Sequence, residues 1–281
     1  MEQKEFLHIE QKNSVSKNDF NRIATFVKKE AGIDLSEKYV LVSTRLESFF
    51  SANGITDTAT YLNMALVQSS KESEELINLL TTNHTFFWRE NQHFEFMLST
   101  VLPELKKKCS ISKDMRIWCA ASSTGEEPYT LAMAAMDSLG PDYHLWDTTV
   151  LATDISTKVL SRAQNGIYSA DAIKDLPVNW QHRFFKKRGD IVEASDELKN
   201  RVIFRKLNLI EPYPFRKPLH VIFVRNVLIY FDEPTKRDIV KRMTDALAPG
   251  GYLFVGTTES ISKLSDDLEY VQPSVYRKKQ G

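Results

Sequence analysis

Residues Trp118-Cys119-Ala120-Ala121-Ser122-Ser123-Thr124-Gly125-Glu126-Glu127-Pro128-Tyr129 set two adjacent carboxylates in a turn that follows an apolar run. Met115 to Ala120 reads as a short strand, and Tyr129 to Met136 continues at helical spacing. This is the strand–turn–helix grammar of a nucleotide site. A phosphate cradle at such a turn would present several glycines, bare N–H groups and often a lysine. Here there is one glycine, Gly125, and the two glutamates repel pyrophosphate. They suit a ligand with a cationic end and sugar hydroxyls. S-adenosylmethionine carries a sulfonium, an α-ammonium and a ribose, and no phosphate. The same acids would also favour an ordinary helix N-terminus through its dipole.

Two further strands carry chemistry at their ends. Val150-Leu151-Ala152-Thr153-Asp154 is apolar and closes on a carboxylate. In doubly wound sheets ligands sit at the carboxyl ends of strands, and an acid after the second strand binds ribose hydroxyls. Asp154 could equally cap the helix that follows, near Thr157 to Ala163. Val221-Ile222-Phe223-Val224 reads as a central parallel strand buried on both faces, followed by Arg225-Asn226-Val227-Leu228-Ile229-Tyr230-Phe231. Asp232-Glu233-Pro234 then opens a helix. Nucleic-acid amino-methyltransferases place Asn-Pro-Pro-Tyr/Phe at this point; its absence argues against a nucleobase amine as acceptor. A NAD-dependent dehydrogenase is disfavoured because the three-glycine turn is missing.

Thr81-Thr82-Asn83-His84-Thr85-Phe86-Phe87-Trp88-Arg89-Glu90, the Ser123–Tyr129 turn, Ala152-Thr153-Asp154-Ile155 and Arg225–Phe231 occur in that order. Together they strongly resemble the chemotaxis receptor glutamate methyltransferases, the CheR family, from about Phe20 to about Arg277. The resemblance implies S-adenosylmethionine as cofactor, S-adenosylhomocysteine as product, and methyl ester formation on glutamate side chains of chemoreceptors. Asp154 is then expected to hold the ribose hydroxyls, and Glu127 to contact the cofactor from the turn. Asn208 with the backbone of Leu209 matches the adenosine-contacting position; otherwise Asn208 is a turn former. Asn83, Thr85 and Arg89 lie in the linker that the family folds over the cofactor. Phe86-Phe87-Trp88 would be costly to leave exposed together, so this linker should pack. Arg89 and Tyr230 are expected to border the methyl group, with Arg225 and Asn226 at or near the cofactor. The alternative for Arg225 is an ion pair with Glu126, Glu127 or another nearby carboxylate. A glutamate carboxylate, of solution pKa about 4.3, is ionised at neutral pH and needs no general base. No His–Asp or Cys–His constellation is evident.

The elements that must position these residues divide unevenly. Helical patterns run through Phe20–Ala31, Leu35–Phe50, Ala59–Val67 and Ser73–Leu80, giving an N-terminal helical domain over residues 1–85. Residues 86–110 form a linker and connecting helix, kinked or restarted at Pro103. Residues 111–281 form an α/β, doubly wound Rossmann-like methyltransferase domain. Ile191-Val192 and Arg201–Phe204 read as short strands in a polar region, where the resemblance implies a small antiparallel β subdomain inserted at about 185–204. Strand Gly251–Val255 and a hairpin through Tyr270-Val271 and Ser274-Val275-Tyr276 close the sheet.

Lys and Arg total 37 and so do Asp and Glu, which gives no global field for nucleic acid or anionic membrane. Cys109 and Cys119 lack metal spacing and fit a reduced compartment, and the six histidines are scattered. Met1 to Glu10 is charged, without a leader core, and no apolar run approaches membrane-spanning length. A cytoplasmic monomer without metal is expected.

Three features depart from the family pattern. Ala121 stands where a second glycine is usual. Lys186-Lys187-Arg188-Gly189-Asp190 is shorter than the Gly-rich insert that tethers relatives to a receptor's C-terminal pentapeptide, so such tethering is not expected. Lys38 and Arg45 make a thin basic docking helix, and residues 1–90 carry 10 Lys and Arg against 13 Asp and Glu, a net −3. The other readings are a methyltransferase with another protein or small-molecule acceptor, and a non-catalytic cofactor-sensing scaffold. The scaffold would keep Asp154 but need neither Arg89 nor Tyr230.

Overall fold

The computed structural model describes residues 15–280, so the charged start Met1 to Glu10 lies outside the described residues. Among those residues no helix is long and apolar enough to cross a membrane. The chain forms two compact units: one runs to Thr82 and includes Tyr230–Asp232, and the other holds Asn83–Ile229 and the chain from Glu233 onward.

The first unit is helical. Helix α1, Lys17–Ala31, starts where the Ser16 side chain accepts from the Asp19 N–H, and stops at Gly32, whose φ of 75° no β-carbon has to tolerate. Phe20, Ile23, Val27 and Ala31 are its buried stripe. Helix α2, Tyr39–Ala52, begins later than the periodicity from Leu35 predicts. The Asp34 carboxylate accepts from the Ser36 N–H at 3.0 Å and holds that stretch as an Asx turn. Helix α3 is Thr58–Ala65, and helix α4 is Lys71–Leu80, capped by Ser70. Arg45 Nη1 donates to the carbonyls of Leu79, Leu80 and Thr81 at 3.2, 2.8 and 3.0 Å. This guanidinium therefore closes the end of α4, where carbonyls lack intrahelical partners. The 230–232 segment belongs here because the Asp34 N–H donates to the Tyr230 carbonyl at 2.8 Å, Ile33 bridges Phe231, and Lys28 pairs with Asp232 at 2.8 Å.

The second unit is α/β. Its connecting helix runs as α5, Gln92–Phe96, a π turn over Met97–Val101, and α6, Leu102–Lys108. Pro103 has no N–H to donate, and the chain meets it by widening the turn before rather than by breaking, with the Leu102 N–H reaching back to the Met97 carbonyl. The strands are β1 (Ile117–Ala120), β2 (Val150–Asp154), β3 (Ile167–Ser169), β4 (Phe185–Arg188), β5 (Ile191–Ala194), β6 (Val202–Lys206), β7 (Leu219–Val224), β8 (Leu247–Val255), β9 (Leu268–Gln272) and β10 (Val275–Lys278). Seven of them form one sheet in the order β6-β2-β1-β7-β8-β10-β9. The first five strands of that order are parallel, and the β9–β10 hairpin adds antiparallel. Every residue of β7 is buried, as its unbroken apolar run requires. Between β1 and β7 the chain reverses its direction of winding, which makes their carboxyl ends the switch point of the fold.

The small antiparallel sheet has the order β3-β5-β4. The strand read from Arg201 to Phe204 is not part of it. As β6 it pairs with β2 in parallel at the edge of the main sheet, Val202 and Phe204 turned to the core and Ile203, Arg205 and Lys206 exposed. That alternation marks a half-covered edge, and the polar neighbourhood that suggested an insertion is its solvent face.

Helix α7, Glu126–Leu139, follows β1 with Gly125 at its N-cap, φ 100°. A β-carbon at Gly125 would sit 2.9 Å from both the Ala163 Cβ and the Tyr168 hydroxyl. Gly125→Ala is expected to lower stability by roughly 2–4 kcal/mol, from left-handed strain plus overpacking. A urea midpoint unchanged from the parent protein would show that this turn has slack.

Candidate active site

The turn between β1 and α7 is built on positive φ. Ala121 lies at 59°, Ser123 at 48° and Gly125 at 100°. Ala121 thus occupies a position that favours glycine, and holding alanine there costs roughly 1–2 kcal/mol. The Ser122 N–H donates to the Thr153 carbonyl at 2.8 Å, locking the turn to the end of β2. Asp154 completes the lock: its carboxylate accepts from the Ser123 N–H and the Ser156 N–H, each at 2.9 Å. It does not cap the following helix α8, Thr157–Asn165; the Ser156 side chain does that. Burial pushes the Asp154 carboxyl upward, opposed by the amides of Ser156, Ser123 and Ile155. These amide bonds leave acceptor capacity on the carboxylate, which is what a pair of ribose hydroxyls needs.

Glu127 and Arg225 form the charged centre. Arg225, 1% exposed in its side chain, places Nη1 2.8 Å from Glu127 and Nη2 3.1 Å from Glu90. The same Nη2 donates to the Arg89 carbonyl. Glu127 also accepts from the Cys119 thiol at 3.2 Å. Burial raises the Glu127 pKa, with Arg225 pulling the other way. Glu90 is held below the ordinary carboxylate range, because Arg225 and the Asn226 amide outweigh the effect of its burial. Glu126 is not part of this pairing; it accepts from the Thr124 hydroxyl at 2.7 Å. His93 is fully buried with its Nδ1 3.5 Å from Glu90, and burial lowers its pKa to about 4, so it is neutral at pH 7 and cancels no charge. With both carboxylates ionised, the Glu90–Arg225–Glu127 triad carries one more negative charge than positive.

The linker packs as its aromatic run demands, with one exception. Phe87 is buried edge-on to Tyr168 at 4.9 Å and Phe185 at 5.4 Å, and Trp88 stacks on Phe94 at 5.3 Å. Phe86 stays 46% exposed, with the Arg89 guanidinium 5.7 Å from its ring centroid. Arg89 Nη1 donates to the His84 carbonyl at 2.8 Å. Among the described residues Arg89 makes no ion pair, whereas Arg225 makes two. The Ser123 hydroxyl reaches the Asn83 carbonyl at 3.0 Å, fastening the start of the linker to the turn. Thr85 is half-buried beside it in sequence.

The structure joins Arg89, Glu127, Arg225 and Asn226 through Glu90 and Arg225, and Asn83 and Asp154 through Ser123; Ser123 lies in the β1–α7 turn and Glu127 in the first turn of α7. Asn208 and Leu209 follow β6, tied in through the Leu207 N–H, which donates to the Asp154 carbonyl at 3.1 Å. Asn208 Oδ1 also accepts from the Ile210 N–H at 3.4 Å, the turn geometry that was its simpler explanation. Tyr230 belongs to the helical unit and is half-buried there. Two carboxylates escaped the sequence reading. Glu90 directly follows Arg89 and binds the Asn226 amide at 3.1 Å, the Thr257 N–H at 3.2 Å and the Thr257 hydroxyl at 3.1 Å. Glu259, after the end of β8, collects the N–H groups of Gly256, Asn226 and Ile229 at 2.6, 2.8 and 3.2 Å. Its signal is in the sequence: Asp154 ends the parallel strand β2, and Glu259 follows shortly after the end of the parallel strand β8.

These features fit a nucleoside ligand with a cationic tail and exclude a phosphate cradle. The buried Ser122 hydroxyl has no hydrogen-bond partner among the described residues, and the carboxylates of Glu126, Glu127 and Asp154 are all raised by burial. An approaching anion would worsen that cost and a cation relieves it. A doubly wound sheet with an acidic turn and a strand-end carboxylate is the site of a Rossmann-like methyltransferase.

The chain belongs to the CheR methyltransferase family. The family's all-alpha domain matches residues 18–81, and the domain described as "CheR methyltransferase, SAM binding domain" matches residues 83–277. It is 38% identical over 279 residues to the chemotaxis protein methyltransferase of Escherichia coli (strain K12), covering 96% of this chain and 94% of that one. It is 37% identical over 272 residues to the chemotaxis protein methyltransferase of Borreliella burgdorferi, covering 94% and 95%. Chemotaxis protein methyltransferase 1 of Pseudomonas aeruginosa is 35% identical over 274 residues, covering 95% of this chain and all 100% of the relative. S-adenosylmethionine is accordingly its cofactor, and methyl transfer its chemistry.

Arg225→Met would leave Glu90 and Glu127 buried without their ion-pair partner, an expected loss of about 3–5 kcal/mol. The pairing with Glu90 stabilises the fold above that group's unfolded pKa and fades as pH falls through its lower folded value. In the variant the two carboxylates protonate more readily, so the stability gap to the parent should narrow in acid. Denaturant midpoints that differ equally at neutral and acid pH would contradict this.

Proposed function

We propose that this enzyme forms methyl esters on glutamate side chains of chemoreceptors, in adaptation to chemotactic signals. The observation that carries the reading is the contrast between the two arginines. Arg225 is ion-paired with both Glu90 and Glu127, whereas Arg89 makes no ion pair among the described residues and acts on Glu127 only through its charge. A guanidinium so placed in the linker is suited to meet an incoming carboxylate through its fork.

Bound S-adenosylmethionine supplies a methyl carbon on a cationic sulfur leaving group. The acceptor glutamate is ionised at neutral pH, so no residue of this chain has to remove a proton. The chain's task is alignment and exclusion of water. Asp154 accepts the ribose hydroxyls. Asn208 and the Leu209 backbone hold the adenine side. Glu127 faces the cationic methionine end, and Arg225 fixes Glu127 in place. Asn83 and Thr85 close the linker over the cofactor, and Asn226 supports it. Arg89 orients the acceptor, and the Tyr230 hydroxyl donates a hydrogen bond next to the transferred methyl group.

The partner under this reading is the cytoplasmic helical methylation region of the receptor, met by a cytoplasmic monomer. Tethering through a receptor C-terminal pentapeptide is not part of it. The β4–β5 connection is only Gly189-Asp190, and the edge strand β4 presents exposed Lys186, Lys187 and Arg188. Arg45, committed to the end of α4, leaves the docking helix with little free positive charge.

The experiment is transfer of a radiolabelled methyl group to receptor membranes. The label should be released by mild base, as an ester is and an N-methyl group is not, and Arg89→Ala and Tyr230→Phe should each slow its incorporation. Base-stable label would reject the glutamate ester, and native rates in both variants would reject the methyl-proximal roles. A separate measurement addresses the cofactor. Asp154→Ala removes two charge-assisted hydrogen bonds of about 1.5–3 kcal/mol each, so affinity should fall by at least about tenfold. Calorimetric binding of S-adenosylhomocysteine at the parent affinity would remove Asp154 from the ribose.

A further inference from the structure

Arg89 stands between two residues in the left-handed region, Trp88 at φ 63° and Glu90 at φ 54°. Neither is a glycine, so the linker holds this shape only because its surroundings impose it. On the Trp88 side the imposition is aromatic packing, on Phe94 at 5.3 Å and edge-on to Trp180 at 5.3 Å. On the other side it is Glu90. Both carboxylate oxygens are engaged: Oε1 by the Asn226 amide and the Thr257 hydroxyl, Oε2 by Arg225 and the Thr257 N–H. The Arg225 group that binds Glu90 also donates to the carbonyl of Arg89 itself. One buried guanidinium and one buried carboxylate thus clip the backbone immediately after Arg89 to the ends of β7 and β8.

We propose that Glu90 is a positioning residue for methyl transfer, holding the strained linker so that Arg89 is presented in one orientation. The inference rests on the reading of Arg89 as the group that orients the acceptor. Glu90 touches neither cofactor nor acceptor in this account. It acts through the backbone of Arg89 and through Arg225. Because the clip uses four donors from two segments, Arg225-Asn226 and Thr257, the linker has one seated arrangement and no gradual alternative. Loss of the clip frees the turn to relax toward ordinary φ values, which redirects the Arg89 side chain while the cofactor contacts of Asp154 and Asn208 stay in place.

Glu90→Gln keeps the shape of the side chain, removes its charge and turns one acceptor into a donor. With receptor membranes and labelled methyl donor, its kcat should fall by about tenfold or more, the scale of an ångström-sized misplacement. Affinity for S-adenosylhomocysteine should stay within about threefold of the parent, since the loss is in the transition state rather than in cofactor binding. Glu90→Asp preserves the counter-charge for Arg225 and withdraws the carboxylate by one methylene. It should lower kcat by about threefold or more without loss of cofactor affinity. A parent-like kcat in either variant overturns the proposal, and so does a fall in cofactor affinity as large as the fall in kcat/KM. Arg89→Ala, measured alongside, separates the two failures. If Arg89→Ala turns over at the native rate, the reading of Arg89 is wrong. If it is slow while the Glu90 variants are fast, only the positioning role is wrong.

Discussion

A single guanidinium withdrawn from water organises this site. Arg225 sits at the end of the central strand β7, and its two carboxylate partners come from the first turn of α7 and from the linker. Each of these ions costs several kcal/mol to desolvate, and the cost is recovered only while all three keep their geometry. Segments far apart in sequence are therefore coupled more tightly than packing alone would couple them. The sheet end, the cofactor turn and the linker behave as one assembly because none can shift without leaving a charge unmatched.

The same constraint explains the electrostatic character of the turn. Its carboxylates are buried with too little positive charge nearby, and burial pushes Glu126, Glu127, Asp154 and Glu259 upward. A site in that condition is prepared for a cation and its hydroxyl-bearing sugar, and hostile to a phosphate. Backbone amides do much of the holding: Asp154 and Glu259 each bind N–H groups of the loop next to them. Two strand-end acids thereby act as fasteners for the loops that carry the chemistry, one on each side of the switch point.

Much of this was legible in the residues. The apolar runs of β1, β2 and β7 marked central strands because a strand buried on both faces leaves no polar alternation, and the order of the motifs carried the fold class. What was not legible depended on partners distant in sequence. Arg225 offered a choice among carboxylates that spacing could not make; the structure selects Glu127 and Glu90, because Glu126 is already satisfied by Thr124. Arg201–Phe204 reads as part of the small sheet because an edge strand with one wet face resembles an inserted hairpin in composition; the strand, Val202–Lys206, pairs with β2 instead. The periodicity from Leu35 places the start of helix α2 ahead of Tyr39 because it does not register an Asx turn at Asp34. Glu90 was visible in the motif but silent, since nothing local says that a glutamate will be buried.

The helical unit is not a single stretch of chain. Its last piece, Tyr230–Asp232, is made some 150 residues after Thr82, as the numbering shows, and joins it through the Tyr230 carbonyl, the Ile33–Phe231 bridge and the Lys28–Asp232 pair. Modularity at the level of the gene is restricted accordingly. A fragment starting at Asn83 would carry an orphaned tripeptide, with an apolar ring and a main-chain acceptor stripped of their partners. A fragment ending at Thr82 would lack a piece of its own fold. Exchange of the amino-terminal portion between relatives is thus a two-site graft. Residues that face Ile33, Asp34 and Lys28 have to change together with them, and the ribosome must finish most of the second unit before the first is complete.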